Sequence, residues 1–228
     1  MNHSLRSARY RDTEAIKLLS TYPNKKRIQV GDTVVGWSSS RSRSLFDKED
    51  GFLKVKVQDH SLSFYEQGQP IGIAGFRSFL FLEYADMDEF VKAADTISQQ
   101  LYEFAHGLSD TLSHLCGSGD IFCGMRIIEF NRLAMRPEHA AGTKWLEPVK
   151  AFLNKIFQNT DTEVNFAMVL CPFPLEFDVK FRNQDLDATG LSRMNHRRKA
   201  LVRHYRKTLG VELTVAEDAK RWWMGRML

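Results

Sequence analysis

The chain is poor in cysteine. Cys116, Cys123 and Cys171 are the three cysteines among 228 residues. An odd number cannot pair completely, and their spacing matches no zinc or redox pattern. They read as reduced, core-type residues of a cytoplasmic protein. Long hydrophobic runs are missing as well. No stretch of about 18 apolar residues occurs, so no membrane-spanning helix is expected. The opening residues M-N-H-S-L-R-S-A-R-Y-R hold no apolar run of the secretory type, and no leader is expected. Gly-x-Ser-x-Gly and Walker motifs are absent, which argues against a typical α/β-hydrolase or P-loop enzyme. His3, His60, His106, His114, His139, His196 and His204 are scattered. None has zinc-site spacing with cysteines or carboxylates, so no metal is expected.

What is present fits a globular chain. Hydrophobic residues make up 43% and charged residues 26%, with 16 phenylalanines. A chain of this size buries roughly 72% of its unfolded surface, enough for a core without disulfides or metal. Disordered, collagen-like and disulfide-stapled classes are excluded. The length fits one large domain, 1–228. Charge is nearly balanced at 32 Lys+Arg against 28 Asp+Glu, net +4. Its distribution is uneven: the first 30 residues carry seven Lys/Arg against two acids.

Periodicity predicts the elements. Asp12 caps a short helix over 12–21. Ser38 to Ser44, S-S-S-R-S-R-S, reads as an exposed loop, with an RNA-contacting basic loop as the sharper alternative. L-K-V-K-V at 53–57 alternates as a half-buried strand. A hairpin follows over 61–76 with its turn at Gln67-Gly68-Gln69-Pro70. A long helix over 87–108 opens with Asp86 as N-cap and Glu89 completing a capping box. Its outer face is acidic, and a loop at Cys116 to Asp120 ends it. Residues 121–135 read as a strand, and Pro137 and Gly142 bracket a turn. A helix over about 145–157 carries Pro148 in its first turn. Val164 to Cys171 has the length of a buried strand. A helix over about 193–208 stops before Gly210, a natural C′ residue. V-E-L-T-V and R-W-W-M-G-R-M-L close the chain as one or two strands. Helices alternating with strands imply an α/β fold: a central mixed, mostly antiparallel sheet flanked by helices.

The helix at 193–208 holds Arg193, Arg197, Arg198, Lys199, Arg203, Arg206 and Lys207 and no acid. At about 100° per residue, Met194, Leu201, Val202, Tyr205 and Leu209 share one face, and most of the basic residues fall opposite. Arg198 falls inside the apolar face. A buried guanidinium needs a carboxylate or phosphate. A structural ion pair and a contact to cofactor or substrate both remain open for it. The exposed basic face is either solvated or attractive to a polyanion such as CoA phosphates, tRNA or DNA. The turn before the helix at 145–157 gathers unpaired N–H groups, where Gly142 permits close approach and Lys144 adds charge.

L-A-M-R-P-E-H at Leu133 to His139 resembles the fourth-strand exit of the GNAT superfamily of acyl-CoA N-acyltransferases. L-R-S-A-R-Y-R-D-T-E-A-I-K-L-L resembles that family's opening strand and first helix, and A-L-V-R-H-Y-R-K-T-L-G-V at 200–211 its late helix. The resemblance implies a single GNAT-like domain with a helical insertion around 83–120. It implies transfer of an acetyl or other acyl group from acyl-CoA to an amine acceptor, without a metal. It also assigns roles. Backbone groups at Leu133 and Met135 would hold the pantetheine arm and the thioester carbonyl. The loop of Ala140, Ala141, Gly142, Thr143 and Lys144 would take the pyrophosphate. This loop is degenerate, because Ala140, Ala141, Thr143 and Trp145 stand where Arg and glycines are expected. Tyr205 would be the general acid, Glu129 the base, and Arg198 would lie where the family has a polar residue facing the cofactor. His139 is the one histidine in this region. The alternative implied is an inactive GNAT-like binding or regulatory module, contacting nucleic acid (tRNA) or a protein through helix 193–207. A homodimer is left open.

Overall fold

A computed structural model describes residues 26–45, 55–81, 87–97, 99–116, 125–140, 143–158, 166–171, 187–213 and 223–227. The helix expected at 12–21 lies outside these residues. The described strands are β1 (Lys26–Val30), β2 (Thr33–Ser39), β3 (Arg43–Leu45), β4 (Val55–Glu66), β5 (Gln69–Phe81), β6 (Arg126–Met135), β7 (Phe166–Leu170), β8 (Glu212–Leu213) and β9 (Met224–Met227). The helices are α1 (Met87–Ile97), α2 (Gln99–Cys116), α3 (Pro137–Ala140), α4 (Leu146–Gln158) and α5 (Ala188–Leu209). The strands form one mixed sheet in the order β1-β2-β4-β5-β6-β7-β9-β8, with β3 also paired to β4. The α/β expectation is met, with the pairs β1·β2, β2·β4, β3·β4, β7·β9 and β8·β9 all antiparallel.

Two compact units make up the chain. The first comprises Met1–Ser42, Gln58–Ser78 and Phe130–Val164, and the second Arg43–Val57, Phe79–Glu129 and Asn165–Leu228. Strands β4, β5 and β6 contribute residues to both.

In the first unit, tight turns set the register. Val30 pairs with Thr33, so β1 and β2 are joined by two residues, and Gly31 supplies the positive φ of 58°. Glycine at the first central position suits a hairpin turn. β4 and β5 are joined by Gln67 and Gly68, with φ of 49° and 76°. Positive φ at both central residues marks a type I′ turn, whose twist matches the flanking strands. Pro70 therefore belongs to β5 rather than to the turn. The core gathers around Phe152 of α4, which is fully buried. Its ring lies 5.4 Å from that of Trp37 and 5.1 Å from that of Phe76, and Phe76 stacks on Phe130 at 4.8 Å. Such aromatic contacts add about 0.5–1.5 kcal/mol each beyond burial.

In the second unit, Phe79 stacks on Phe104 of α2 at 4.7 Å, and Phe81 meets Phe90 of α1 edge-on at 5.4 Å. Val55, Val57, Ile127 and Val169 complete the sheet side of this core. Gly107 of α2 has a packing reason: a Cβ there would collide with the indole of Trp223, which precedes β9. α5 is capped at both ends. The Asp187 carboxylate accepts from the Gly190 N–H at 2.6 Å, and Gly210, at φ 66° and ψ 25°, donates its N–H to the Arg206 carbonyl at 3.1 Å.

Several expected elements differ. The helix expected over 87–108 is two helices, and the second runs on to Cys116. The 53–57 strand and the first hairpin strand are one continuous β4. α5 begins at Ala188, five residues earlier than expected. Of the supposed Ser/Arg loop at Ser38 to Ser44, Ser38 and Ser39 belong to β2 and Arg43 and Ser44 to β3. The cause is visible at Ser39, whose hydroxyl accepts from the Trp37 indole N–H at 2.8 Å and meets His60 Nδ1 at 2.8 Å.

Candidate functional site

The region expected to bind the cofactor lies in the first unit. β6 ends at Met135, where the Arg136 N–H donates to the Ile71 carbonyl at 2.9 Å and keeps the strand exit against β5. Met135 is buried and Leu133 half-buried. Gly72 of β5 lies against Ala134 and Met135. A Cβ at Gly72 would collide with Met135 Sδ and stand 2.9 Å from the Ala134 carbonyl oxygen. The β6 backbone thus comes unusually close to β5 just where the resemblance places the thioester.

The chain then turns. The His139 N–H donates to the Arg136 carbonyl at 2.9 Å, closing α3. Ala141 and Gly142 lie outside the described residues, as does the Ala140 side chain. Thr143 and Lys144 are exposed ahead of α4, and the Leu146 N–H donates to the Thr143 carbonyl at 2.9 Å. Trp145 is 2% exposed and its ring lies 6.3 Å from Phe130. Its indole is therefore core, and it does not stand beside Thr143 and Lys144 at the surface.

Glu66, the last residue of β4, organises this region and was not foreseen from the sequence. Its Oε1 accepts a hydrogen bond from Lys144 Nζ, and its Oε2 stands 3.7 Å from His139 Nδ1. The Lys144 hydrogen bond holds the Glu66 carboxyl below its usual range; partial desolvation opposes this, and the charges of Lys144 and His139 reinforce it. Lys144 is thus not a solitary cation. An anion arriving at α4 competes with Glu66 for its ammonium. No local sequence signal marks Glu66, because its partner is 78 positions away.

The remaining candidates belong to the second unit. Glu129 is buried on β6, at 8% exposure. Arg198 is buried on α5, at 2%, as its place in the apolar stripe anticipates. A guanidinium so deeply placed must be compensated. Tyr205 is half-buried on α5, with its ring 5.5 Å from that of His204. Burial pushes the Tyr205 phenol up to about 12 and the His204 imidazole down from its ordinary value. The candidates therefore fall into two sets: Leu133, Met135, Thr143 and Lys144 with Glu66 and His139 in one unit, and Glu129, Arg198 and Tyr205 in the other.

A second polar cluster of the first unit was also missed. His60 is buried, with Ser39 Oγ at 2.8 Å from Nδ1 and Ser78 Oγ at 3.0 Å from Nε2. The Ser78 hydroxyl in turn donates to the Gln58 carbonyl at 3.4 Å. With the proton on Nε2, every donor in this chain from the Trp37 indole to Gln58 finds an acceptor. The chain is a satisfied core network.

No family model and no curated protein sequence matches the chain. Among solved structures it is similar to the mosquito arylalkylamine N-acetyltransferase like 5b. The identity is 10%, the match covers 74% of each chain, and the TM-score is 0.38. A likeness of that degree assigns neither a family nor an activity. Among the described residues no group of three or more His, Cys, Asp or Glu could hold a metal ion. None of the described helices is long and apolar enough to cross a membrane.

Proposed function

We propose that the chain is an N-acyltransferase that moves an acetyl or other acyl group from acyl-CoA to an amine. The observation that carries this reading is the strand–turn–helix of β6, α3 and α4, with Lys144 in the turn that opens α4. Helix N-termini attract phosphate through free N–H groups and the positive end of the dipole. The sequence L-A-M-R-P-E-H, with its resemblance to the GNAT strand exit, covers the end of β6 and most of α3.

Each residue then has a task. Backbone groups of Leu133 and Met135 hold the pantetheine arm and the thioester carbonyl. N–H groups ahead of α4 and the Lys144 ammonium meet the pyrophosphate after displacing Glu66. Glu129 takes the proton that the ammonium must lose, directly or through water. The freed amine attacks the thioester carbon, the C–N bond forms, the attacking nitrogen gives up its second surplus proton to solvent, and the C–S bond breaks with its electrons going to sulfur. Tyr205 stabilises the departing thiolate. With its phenol pushed up to about 12, it is a weak acid that keeps its proton at neutral pH. It serves as a hydrogen-bond donor, and the thiolate collects its proton from solvent. No metal is required, and the reaction suits a cytoplasmic enzyme supplied with acetyl-CoA.

The test is release of free thiol from acetyl-CoA in the presence of a panel of amines. Amine-dependent release that falls in Tyr205→Phe supports the reading. If release is detected and Tyr205→Phe leaves the rate untouched, Tyr205 has no part in thiolate departure.

A further inference from the structure

α5 stands out from the fold. Met194, Arg198, Val202 and Leu209 are its buried residues, out of 22. Arg193, Arg197, Lys199, Arg203, Arg206 and Lys207 are exposed. At about 100° per residue these six cover about half of the helix circumference, opposite the buried stripe. They extend over roughly 21 Å at 1.5 Å per residue. No acidic residue occurs in the helix, so its seven Lys/Arg exceed the +4 net charge of the whole chain. Arg206 pairs with Glu212 at 3.0 Å, whereas no carboxylate of the described residues pairs with Arg193, Arg203 or Lys207.

This arrangement works against the helix by itself. Arg193 and Arg197, Lys199 and Arg203, and Arg203 and Lys207 are like charges four residues apart, which repel. Relief of this repulsion has to come from outside the helix. A protein partner would need an apolar or aromatic anchor at the centre of the patch, and the arc has none. A membrane surface would need an apolar face beside the basic one, and that face is turned inward here. An array of exposed guanidinium and ammonium groups around half a helix fits a phosphate-lined groove. The major groove of B-form DNA, about 12 Å wide, admits an α-helix of about 10–12 Å. The deep, narrow major groove of A-form RNA does not.

We propose that α5 docks its basic arc in the major groove of duplex DNA, with Arg193, Arg203 and Lys207 among the phosphate contacts. This proposal is independent of acyl transfer. Phosphate contacts from arginine and lysine supply affinity without sequence preference, so the salt response is its signature.

The experiment measures anisotropy of a labelled 20-base-pair DNA duplex with the full chain between 50 and 200 mM KCl. Affinity is expected to fall steeply, with a log–log slope of about −3.6 to −5.4 for four to six neutralised phosphates. Arg203→Glu/Lys207→Glu is expected to weaken binding at least about tenfold. The equal charge change Lys56→Glu/Lys92→Glu, at exposed positions on β4 and α1, is expected to have a much smaller effect. Arg203→Gln/Lys207→Gln serves as the milder pair, and circular dichroism checks folding of each. No binding at 50 mM KCl, equal weakening by both reversal pairs, or tighter binding of an RNA duplex would each overturn the proposal.

Discussion

Replacing Gly72 with alanine tests the close approach of β5 to the β6 exit. Gly72 does not have a positive φ, so alanine can adopt its backbone conformation. On backbone entropy alone the change would stabilise the protein by about 0.5–1 kcal/mol. The packing argues the other way. The new methyl group would collide with Met135 Sδ and stand 2.9 Å from the Ala134 carbonyl oxygen. The thioether can rotate only within a packed site, since Met135 is 8% exposed, and the carbonyl belongs to a paired strand. Overpacking of this kind costs about 1–3 kcal/mol, so a net loss of about 1–2 kcal/mol is expected. Met135→Ala removes the thioether at its own cost of about 2–5 kcal/mol. In that background Gly72→Ala should cost less, giving a coupling of about 1 kcal/mol in a double-mutant cycle. Urea unfolding of the four proteins at constant m-value reads these differences. A neutral or stabilising Gly72→Ala, or strictly additive changes, would refute the reasoning.

Other outcomes follow from the same geometry. Glu66→Gln releases Lys144 and is expected to tighten CoA binding several-fold by titration calorimetry, while Lys144→Met weakens it; weaker binding by Glu66→Gln would contradict the competition between Glu66 and phosphate. Asp187→Ala removes the cap on the Gly190 N–H, with an expected loss of about 1 kcal/mol and a Tm lower by about 2–4 °C. For Tyr205, the folded phenol titrates near 12 against an ordinary 10.0. The unfolded state therefore releases its proton first as pH rises, and stability declines between about pH 10 and 12. Alkaline denaturation of Tyr205→Phe should lack that part of the decline.

Local pattern carried much of the fold. The 3.6-residue period of Val149, Phe152, Leu153 and Ile156 marks α4, and Gly210 marks the end of α5. The phase of α5 alone was sufficient to anticipate a buried Arg198. What failed had non-local causes. β1 and β2 carry little local signal, because their exposed polar residues and Gly36 dilute the alternation, and pairing across Gly31 and Asp32 makes them strands. Composition places Ser39 in an exposed loop, yet its hydroxyl is fixed by Trp37 and by His60, which is 21 positions away. Glu66 is the clearest case. A carboxylate at a hairpin turn is ordinary locally, and its meaning comes from Lys144 and His139 brought beside it by the sheet. The boundary between α1 and α2 at Ile97 and Gln99 likewise interrupts a stretch whose apolar spacing reads as continuous. Ala141 and Gly142 lie outside the described residues, so the expected pyrophosphate loop stands on Thr143 and Lys144.

Acyl-CoA binding at the β6–α4 turn is the proposal on which the acyl-transfer reading rests. Isothermal titration of the full chain with acetyl-CoA measures it directly. One saturable site per chain, weakened by Lys144→Met and accompanied by a rise in Tm through linkage, is the expected result. Absence of both binding heat and thermal shift at millimolar acetyl-CoA would contradict the acyltransferase reading.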